Sequence, residues 1–432
     1  MTTTPNEFRW GAILLPALLP AALFATGAGA IVPIIPILAS RLAEDLLHEP
    51  SSVLAVASIV TALLMIGELV GNIPSGWLVS RLGERNSMIG ASLLAMAGLL
   101  ACIVAENIFI LGVGVLLIGL ATAVFGLARH ALITTYVPPS HRARALSTVG
   151  GLFRLGYFIG PFITVGVLAL FTNLQAAFWT HVVMCIACIV VLVVAPDPAR
   201  VLEAQTARFE DADGAELARP TRGLFATIVA SRGVLLRLGT AGAILNALRA
   251  GRIVVFPLWA VSLGLDEVTT AVLIGVSGAV DFALFYLGGW IIDRFGRAWN
   301  AVPSTLLLSA GFITLAITHQ HADAIVWFLW LAMLISVANG FSTGILLTLG
   351  SDLADPRDPA PFLGAWRFTG GLGNAIAPLA IALATATISL SAGVLLLGSS
   401  GLLGAALFTR FIPRYVAGEG DWRLRRLRRP RD

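Results

Sequence analysis

Six aspartate, glutamate or arginine side chains stand well inside long apolar stretches of this sequence. A charge in such surroundings is costly, so it is normally paired or serves a function. A carboxylate there can take up and release a proton, and the planar fork of an arginine suits a carboxylate or phosphate partner. Arginines outnumber acids in this set, which predicts a substrate with negative charge. The six residues are Glu68, Asp281, Arg154, Arg249, Arg252 and Arg367.

Two of these arginines belong to a polar stripe. Four residues between positions 246 and 256 recur at helical spacing, so they share one face of a helix. Because arginines would not face lipid, the stripe is expected to line a substrate cavity, together with an asparagine from a later apolar stretch. The alternative is that the arginines only pair with Asp281 or with another helix. The predicted substrate-binding residues are Asn246, Arg249, Arg252, Phe256 and Asn339.

The apolar stretches themselves predict an all-α polytopic membrane protein. Apolar residues make up 57% of the chain and charged residues 12%, far from the composition of a soluble domain. A run of about 18 apolar residues or more can cross a bilayer core of about 30 Å. No cleavable signal peptide is expected, because the first run is too long. Twelve spans are predicted, at 11–38, 52–79, 87–105, 107–129, 145–171, 174–195, 238–262, 269–292, 299–318, 323–349, 362–388 and 393–411.

An internal repeat divides these spans into two halves. The segment from Gly76 to Arg85 recurs 213 positions later as Gly289 to Ala298, and each copy turns on a glycine with arginine beside it. Such a repeat predicts two pseudo-symmetric six-helix halves. Eight residues before the first glycine of each copy stands one of the two membrane acids, so the acids lie at matched depth.

Charge distribution predicts the domain boundaries and the orientation. All 28 basic residues are arginine, and they concentrate in the tails and in alternate connections, so both termini are expected in the cytoplasm. The basic tail is expected to attract anionic lipid headgroups, not nucleic acid. The predicted domains are an N-terminal half at 1–195, a central cytoplasmic loop with a surface helix at 196–237, a C-terminal half at 238–411 and the basic tail at 412–432.

The sequence does not predict a metal site, a phosphate-binding loop or an enzyme active site. Cys185 and Cys188 have the spacing of a metal pair, but on a membrane helix they place two small apolar groups on one face. The sequence has neither a phosphate-binding loop nor catalytic side chains clustered at one membrane face. An enzyme, a cofactor and a metal are therefore not expected. Arg129 is expected at the membrane boundary and His181 in helix packing.

The repeated turn resembles the signature of the major facilitator superfamily, roughly G-x-x-x-D-[RK]-x-G-[RK]-[RK]. The second copy has the acidic and basic positions in place, whereas the first has Ser80 at the acidic position and Glu84 at a basic one. In that family the acidic residue helps to hold the outward-open state, which the resemblance implies for Asp293. The residues of this conformational motif are Gly76, Arg81, Gly83, Gly289, Asp293, Arg294, Gly296 and Arg297.

A second resemblance lies in the fifth span, with a counterpart in the eleventh. The fifth span contains the G-x-x-x-G-P core of a motif found in drug/proton antiporters of the same family. The arginine that those antiporters carry in the fourth span is replaced here by Val115. Independently of the resemblance, small residues four apart let helices pack closely, and proline bends a helix. The residues are Gly156, Gly160, Pro161, Gly373 and Pro378.

The resemblance implies a monomeric secondary transporter that works by alternating access. In that fold the second span faces the eleventh and the fifth faces the eighth, which implies ion pairs Glu68–Arg367 and Asp281–Arg154 between the halves. Such pairs would be permanent latches or switches opened by a proton or a substrate. The preferred function is proton-coupled efflux of an organic, anionic compound. Uptake or facilitated transport of an organic anion, and a receptor without flux, are the alternatives.

Overall fold

A computed structural model of the chain describes residues 17–47, 49–137, 139–171, 173–195, 229, 231–354 and 360–416. Twelve of its helices are long and apolar enough to cross a membrane, which confirms the predicted all-α polytopic class. Most of the central loop with its surface helix, and the basic tail beyond residue 416, lie outside the described residues.

The twelve spanning helices differ from the predicted spans mainly at their ends. Polar residues such as Ser40 and Arg41 continue the first helix past its last apolar turn. Numbered here in chain order, the helices are α1 Leu19–Glu44, α2 Pro50–Leu82, α3 Glu84–Ile103, α4 Ile108–Ile133, α5 Thr148–Leu170, α6 Ala176–Val194, α7 Arg232–Ser262, α8 Glu267–Phe295, α9 Arg297–Thr318, α10 Ala324–Leu353, α11 Phe362–Thr387 and α12 Leu390–Tyr415.

Local sequence sets several helix starts. The Asn107 side chain accepts the backbone N–H groups of Phe109 and Ile110 at 3.1 and 3.0 Å before α4. Asp266 and Ser389 cap α8 and α12 in the same way. These caps bond amide groups that the first turn of a helix leaves without partners.

Glycine closes the turn in both copies of the repeat. Gly83 lies between α2 and α3 with a φ of 80°, and Gly296 lies between α8 and α9 with a φ of 98°. Residues with a Cβ rarely adopt such values, so both turns require glycine. A third such glycine, Gly344 with a φ of 81°, separates the two helical segments of α10.

The chain folds into two compact units. One comprises Met1–Leu42 with Leu63–Leu217, and the other comprises Ala43–Ala62 with Ala218–Asp432. In the first unit α3 packs on α4 and α6, and α1 packs on α5 and α6. In the second, α9 packs on α10 and α12, and α7 packs on α11 and α12. The same pairings therefore occur in corresponding places, as expected of two pseudo-symmetric halves.

Glycines make the tightest of these helix contacts. A Cβ added to Gly160 of α5 would lie 2.6 Å from the carbonyl carbon of Gly29 in α1, and Gly156 makes a similar contact one turn away. In the second unit a Cβ on Gly373 of α11 would lie 2.7 Å from the carbonyl carbon of Ala243 in α7. Small residues allow this backbone contact, and van der Waals packing of this kind drives helix association in lipid.

Replacing Gly160 by alanine is expected to destabilise the protein, because the added methyl group has no room between α5 and α1. Overpacking of this kind costs about 1–3 kcal/mol. Gly166→Ala is the matched control in the same helix, since nothing lies within 4 Å of its added Cβ. It is expected to be neutral or slightly stabilising. The measurement is the apparent Tm in detergent, and equal values for the two variants would contradict the close contact.

Candidate functional site

The polar residues of α7 meet side chains from α8 and α10 in the second unit. Arg252 lies 3.5 Å from Asp281, measured from Nη2 to Oδ2, and donates from Nη1 to Ser336 Oγ at 3.2 Å. Arg249 donates from Nε to Asn339 Oδ1 at 3.2 Å. We call these five residues the α7 arginine cluster.

Close packing of α8 on α10 positions the acid of this cluster. A Cβ on Gly340 of α10 would lie 3.2 Å from the Asp281 carbonyl oxygen, so the two helices touch beside the acid. Two turns further along α8, Asn300 of α9 donates to the carbonyl oxygens of Gly288 and Phe341 at 3.1 and 2.6 Å. The Asn300 amide thus ties α9 to both helices and fixes the backbone that carries the acid.

The cluster is mostly buried, yet its arginines keep an accessible part. Ser336 and Asn339 are 0% and 4% exposed, whereas the side chains of Arg252 and Asp281 retain 15% and 12% exposure. Arg249 is half-buried. Both arginine side chains therefore keep some exposed surface, while the buried Ser336 hydroxyl and Asn339 amide accept their hydrogen bonds.

Two of the predicted binding residues take other positions. Phe256 is 2% exposed and packs edge-to-face on Phe328. Its ring centre lies 5.9 Å from the Arg252 guanidinium carbon, so it supports that arginine from within the core. Asn246 faces α11, where a Cβ on Gly370 would lie 2.6 Å from its Nδ2 atom. The residues of the stripe predicted on α7 therefore contact more than one neighbouring helix.

A second charged group lies in the first unit. Glu68 on α2 lies within electrostatic range of Arg129 on α4 and of Tyr157 on α5. The Arg129 guanidinium lies 4.6 Å from the ring centre of Phe153. Glu68 is accessible although it stands near the middle of a helix of 33 residues. A carboxylate at that depth is not expected to face lipid, so its accessible side indicates a polar surface.

The sequence patterns give no site role to three residues that the structure brings to these two groups. Arg129, expected at the membrane boundary, is half-buried and lies within electrostatic range of Glu68. Tyr157 stands inside the glycine–proline motif of α5. Ser336 stands three residues before Asn339, and helical spacing from that asparagine is the signal that would have found it.

The predicted pairs Glu68–Arg367 and Asp281–Arg154 join residues of different units and stay predictions. Arg154 is half-buried on α5, and Arg367 is exposed on α11. Within its own unit Asp281 pairs with Arg252. Pairing with Asp281 is the alternative that the sequence leaves open to a substrate-binding role for the α7 arginines.

The repeated turn carries matching arginine–tryptophan contacts in the two units. Arg81 lies 5.4 Å from the ring centre of Trp77, and Arg294 lies 5.8 Å from that of Trp290. Each tryptophan directly follows the first glycine of its copy. The duplication has therefore preserved a cation–π contact as well as the turn.

The two turns are tied to other helices by different bonds. Arg297, in the second copy, donates to both oxygens of Asp352, from Nε at 2.7 Å and from Nη2 at 3.1 Å, and so joins α9 to the end of α10. Arg85, in the first copy, donates to the Val193 carbonyl oxygen at the end of α6 at 2.7 Å.

The remaining motif residues take simple positions. Gly76 and Gly289 have open space where a Cβ would stand, and Asp293 is exposed. Pro161 and Pro378 lie within α5 and α11, one residue and five residues after the glycines of close contact.

In sequence comparisons, a family model matches most of the chain and individual proteins match short stretches of it. A sequence model described as Major Facilitator Superfamily matches residues 17–378. The solute carrier family 2 facilitated glucose transporter member 10 from Danio rerio is 29% identical over 122 residues, which are 28% of this chain and 23% of that protein. The multidrug resistance protein MdtH from Cronobacter sakazakii is 35% identical over 94 residues, 21% of this chain and 22% of that protein. The matched part of the chain thus spans less than a quarter of the length of these curated relatives.

Solved structures are similar over nearly the whole chain. A D-xylose-proton symporter has a TM-score of 0.72 at 16% identity and covers 94% of this chain and 98% of its own. The peptide transporter POT in complex with sulfate has a TM-score of 0.70 at 16% identity and covers 96% of this chain and 97% of its own. At such identity the likeness shows the fold alone.

Asp281→Asn is expected to destabilise the protein, because it leaves the Arg252 guanidinium mostly buried without this counter-charge. Removing one partner of a buried pair costs about 3–5 kcal/mol, and less here because both side chains keep some exposure. The double variant Asp281→Asn/Arg252→Gln is expected to recover part of the loss. Asp352→Asn is the control, since its pair is more exposed, at 33% and 24%. Arg252→Gln alone completes the double-mutant cycle. Thermal unfolding measures the four variants, and strictly additive losses for Asp281→Asn and Arg252→Gln would argue against the pair.

Proposed function

The chain belongs to the major facilitator superfamily, and from that premise we propose that it is a secondary active transporter of a small organic anion, with protons as the coupling ion. The α7 arginine cluster carries this proposal. Its two guanidinium groups stand about one turn apart and offer the forked donors that match carboxylate or phosphate oxygens. Both groups belong to one half-buried polar cluster, so an anionic ligand there could bind the two arginines together.

The Arg252–Asp281 contact has the geometry of an exchangeable pair. Its N–O distance of 3.5 Å is longer than the about 2.7–2.9 Å of a strong charge-assisted bond. Arg297 and Asp352 in the same unit make two bonds, at 2.7 and 3.1 Å. An anion that enters the cluster would compete with Asp281 for Arg252, and a proton on Asp281 would release the arginine. The looser pair therefore favours a switch over a permanent latch.

Export is the first candidate for the direction of transport. The α5 motif is similar to that of drug/proton antiporters, and a multidrug resistance protein is among the matched relatives. In an antiporter the proton and the substrate bind in alternation, so the coupling proton would sit on an acid outside the substrate's own ion pair. Glu68 is accessible in the first unit and interacts with Arg129, which suits it to that role.

Uptake of an organic anion is the second candidate, and one observation favours it. Because Asp281 shares Arg252 with the ligand, a proton on Asp281 would promote anion binding. The proton and the anion would then bind together and move in one direction. The match to a facilitated glucose transporter agrees with uptake or facilitated movement. A receptor without flux is the remaining alternative, and flux into proteoliposomes separates it from both.

The proposal includes a location in the cell membrane with both termini in the cytoplasm. The chain is a multi-pass membrane protein, and arginine-rich connections stay on the cytoplasmic side of such proteins. The arginines of both repeated turns would then face the cytoplasm. Protease access to the chain ends in right-side-out vesicles tests this orientation.

Arg249→Gln is expected to weaken binding of an anionic ligand about tenfold or more, since a hydrogen bond to a charged group contributes about 1.5–3 kcal/mol. A neutral ligand of the same size is expected to lose little. Competition binding to the purified chain, with carboxylates and phosphates compared against their neutral esters, measures the difference. Arg232→Gln removes an exposed arginine from the same helix and serves as the control. Equal losses for anionic and neutral ligands would count against an anionic substrate.

The pH dependence of anion binding distinguishes the two directions. If Asp281 carries the coupling proton, acidic pH is expected to tighten binding, and Asp281→Asn to bind tightly at every pH. If Glu68 carries it in exchange, acidic pH is expected to weaken binding, and Glu68→Gln to remove the dependence. Asp352→Asn is the control, because the ion pair of Asp352 with Arg297 lies in the second unit outside the cluster. Unchanged pH dependence in both acid variants would rule out the proton-switch role of either acid.

A further inference from the structure

The first turns of α7 and the last turns of α12 bring arginines and aromatic rings together. Arg237 donates from Nη1 to the Tyr415 hydroxyl oxygen, and its guanidinium carbon lies 5.4 Å from the ring centre of Phe411. Arg414 lies 5.9 Å from the same ring. Arg410 directly precedes Phe411 and stands one turn before Arg414. Two cations therefore share one ring, and a third stands beside them.

This arginine group holds exposed positive charge. Within the part of the chain that the structure describes, none of its three arginines forms an ion pair with an aspartate or glutamate. Guanidinium forks match the oxygens of a phosphate group. The Tyr415 hydroxyl accepts its bond from Arg237 and so keeps its own proton for a further acceptor. The group thus presents several donors and no acid, which is the chemistry of a phosphate site.

An exposed apolar surface leads along α12 to this group. On α12, Leu396 and Leu403 are 58% and 56% exposed, and Arg410 follows at the same seven-residue interval on one helix face. Leu236, next to Arg237, is 72% exposed. Leu396 and Arg410 are separated by about 21 Å of helix, comparable with one leaflet of a bilayer whose core is about 30 Å thick. A free phosphate would contact the arginines only, whereas a phospholipid also covers the leucine stripe.

We propose that the ends of α7 and α12 bind the headgroup of one anionic phospholipid, with an acyl chain along the leucine stripe of α12. A zwitterionic headgroup carries the same phosphate together with a cation that would face the arginines. The site therefore prefers an anionic headgroup. It lies outside the α7 arginine cluster and does not depend on the transport activity proposed for the chain.

Native mass spectrometry of the purified full chain, with phosphatidylglycerol and phosphatidylcholine supplied separately, tests the site. The wild type is expected to retain phosphatidylglycerol at least about tenfold better, as expected for bonds of about 1.5–3 kcal/mol to a charged group. Arg237→Gln/Arg414→Gln is expected to lose that preference. The matched control is Arg81→Gln/Arg294→Gln, which removes the same charge from two separate arginine–tryptophan contacts at other helix ends and is expected to keep it.

Equal retention of the two lipids by the wild type would overturn the proposal, as would the same loss in the control variant. Glycerol phosphate that displaced phosphatidylglycerol at a similar concentration would assign the site to a free anion and so overturn the lipid assignment. If the double variant is not recovered folded, Arg410→Gln tests the same site at an exposed position. It is expected to reduce the preference about threefold, and an unchanged preference would overturn the proposal.

Discussion

A charge held at membrane depth needs neighbours that neutralise or solvate it, and the arrangement of α7, α8 and α10 follows from that need. Arg252 pairs with the acid of α8 and donates a hydrogen bond to the Ser336 hydroxyl of α10. Arg249 donates a hydrogen bond to the Asn339 side-chain oxygen of α10. Gly340 lets α8 and α10 touch beside Asp281, so the acid and the α10 side chains lie close together. The polar contacts of the cluster therefore depend on the close packing of its helices.

Small residues supply the second constraint, since lipid chains are as apolar as leucine and give little reason for helices to associate. The contacts of Gly160 with Gly29 and of Gly373 with Ala243 recur at corresponding places of the two units. Backbone contacts of this kind have little freedom to adjust. The contact of α7 with α11 is thus fixed, whereas the ion pair of Arg252 with Asp281 has an N–O distance of 3.5 Å. In the proposed transport mechanism, a ligand therefore acts at the Arg252–Asp281 pair and not at the glycine contacts.

Much of the fold could be predicted from the sequence, because it depends on properties of single segments. Hydropathy located the spans, and the repeat marked the two turns whose glycines have positive φ. The clusters could be predicted only in part, because they depend on which helices are neighbours. Spacing places Arg252 and Phe256 on one helix face, but only the position of α10 decides that Phe256 is covered by Phe328. The reach of Arg129 toward Glu68 likewise depends on the packing of α4.

The two repeated turns carry opposite charges at one position, since Glu84 occupies the place that Arg297 occupies in the second copy. In the second copy the arginine binds Asp352 and closes α9 on the end of α10. A chimera with the first turn grafted onto the second half would set a glutamate against that aspartate. Two carboxylates would then repel each other at the place of a bidentate bond. The two turns repeat one sequence pattern, but this inversion of charge means that one copy cannot replace the other.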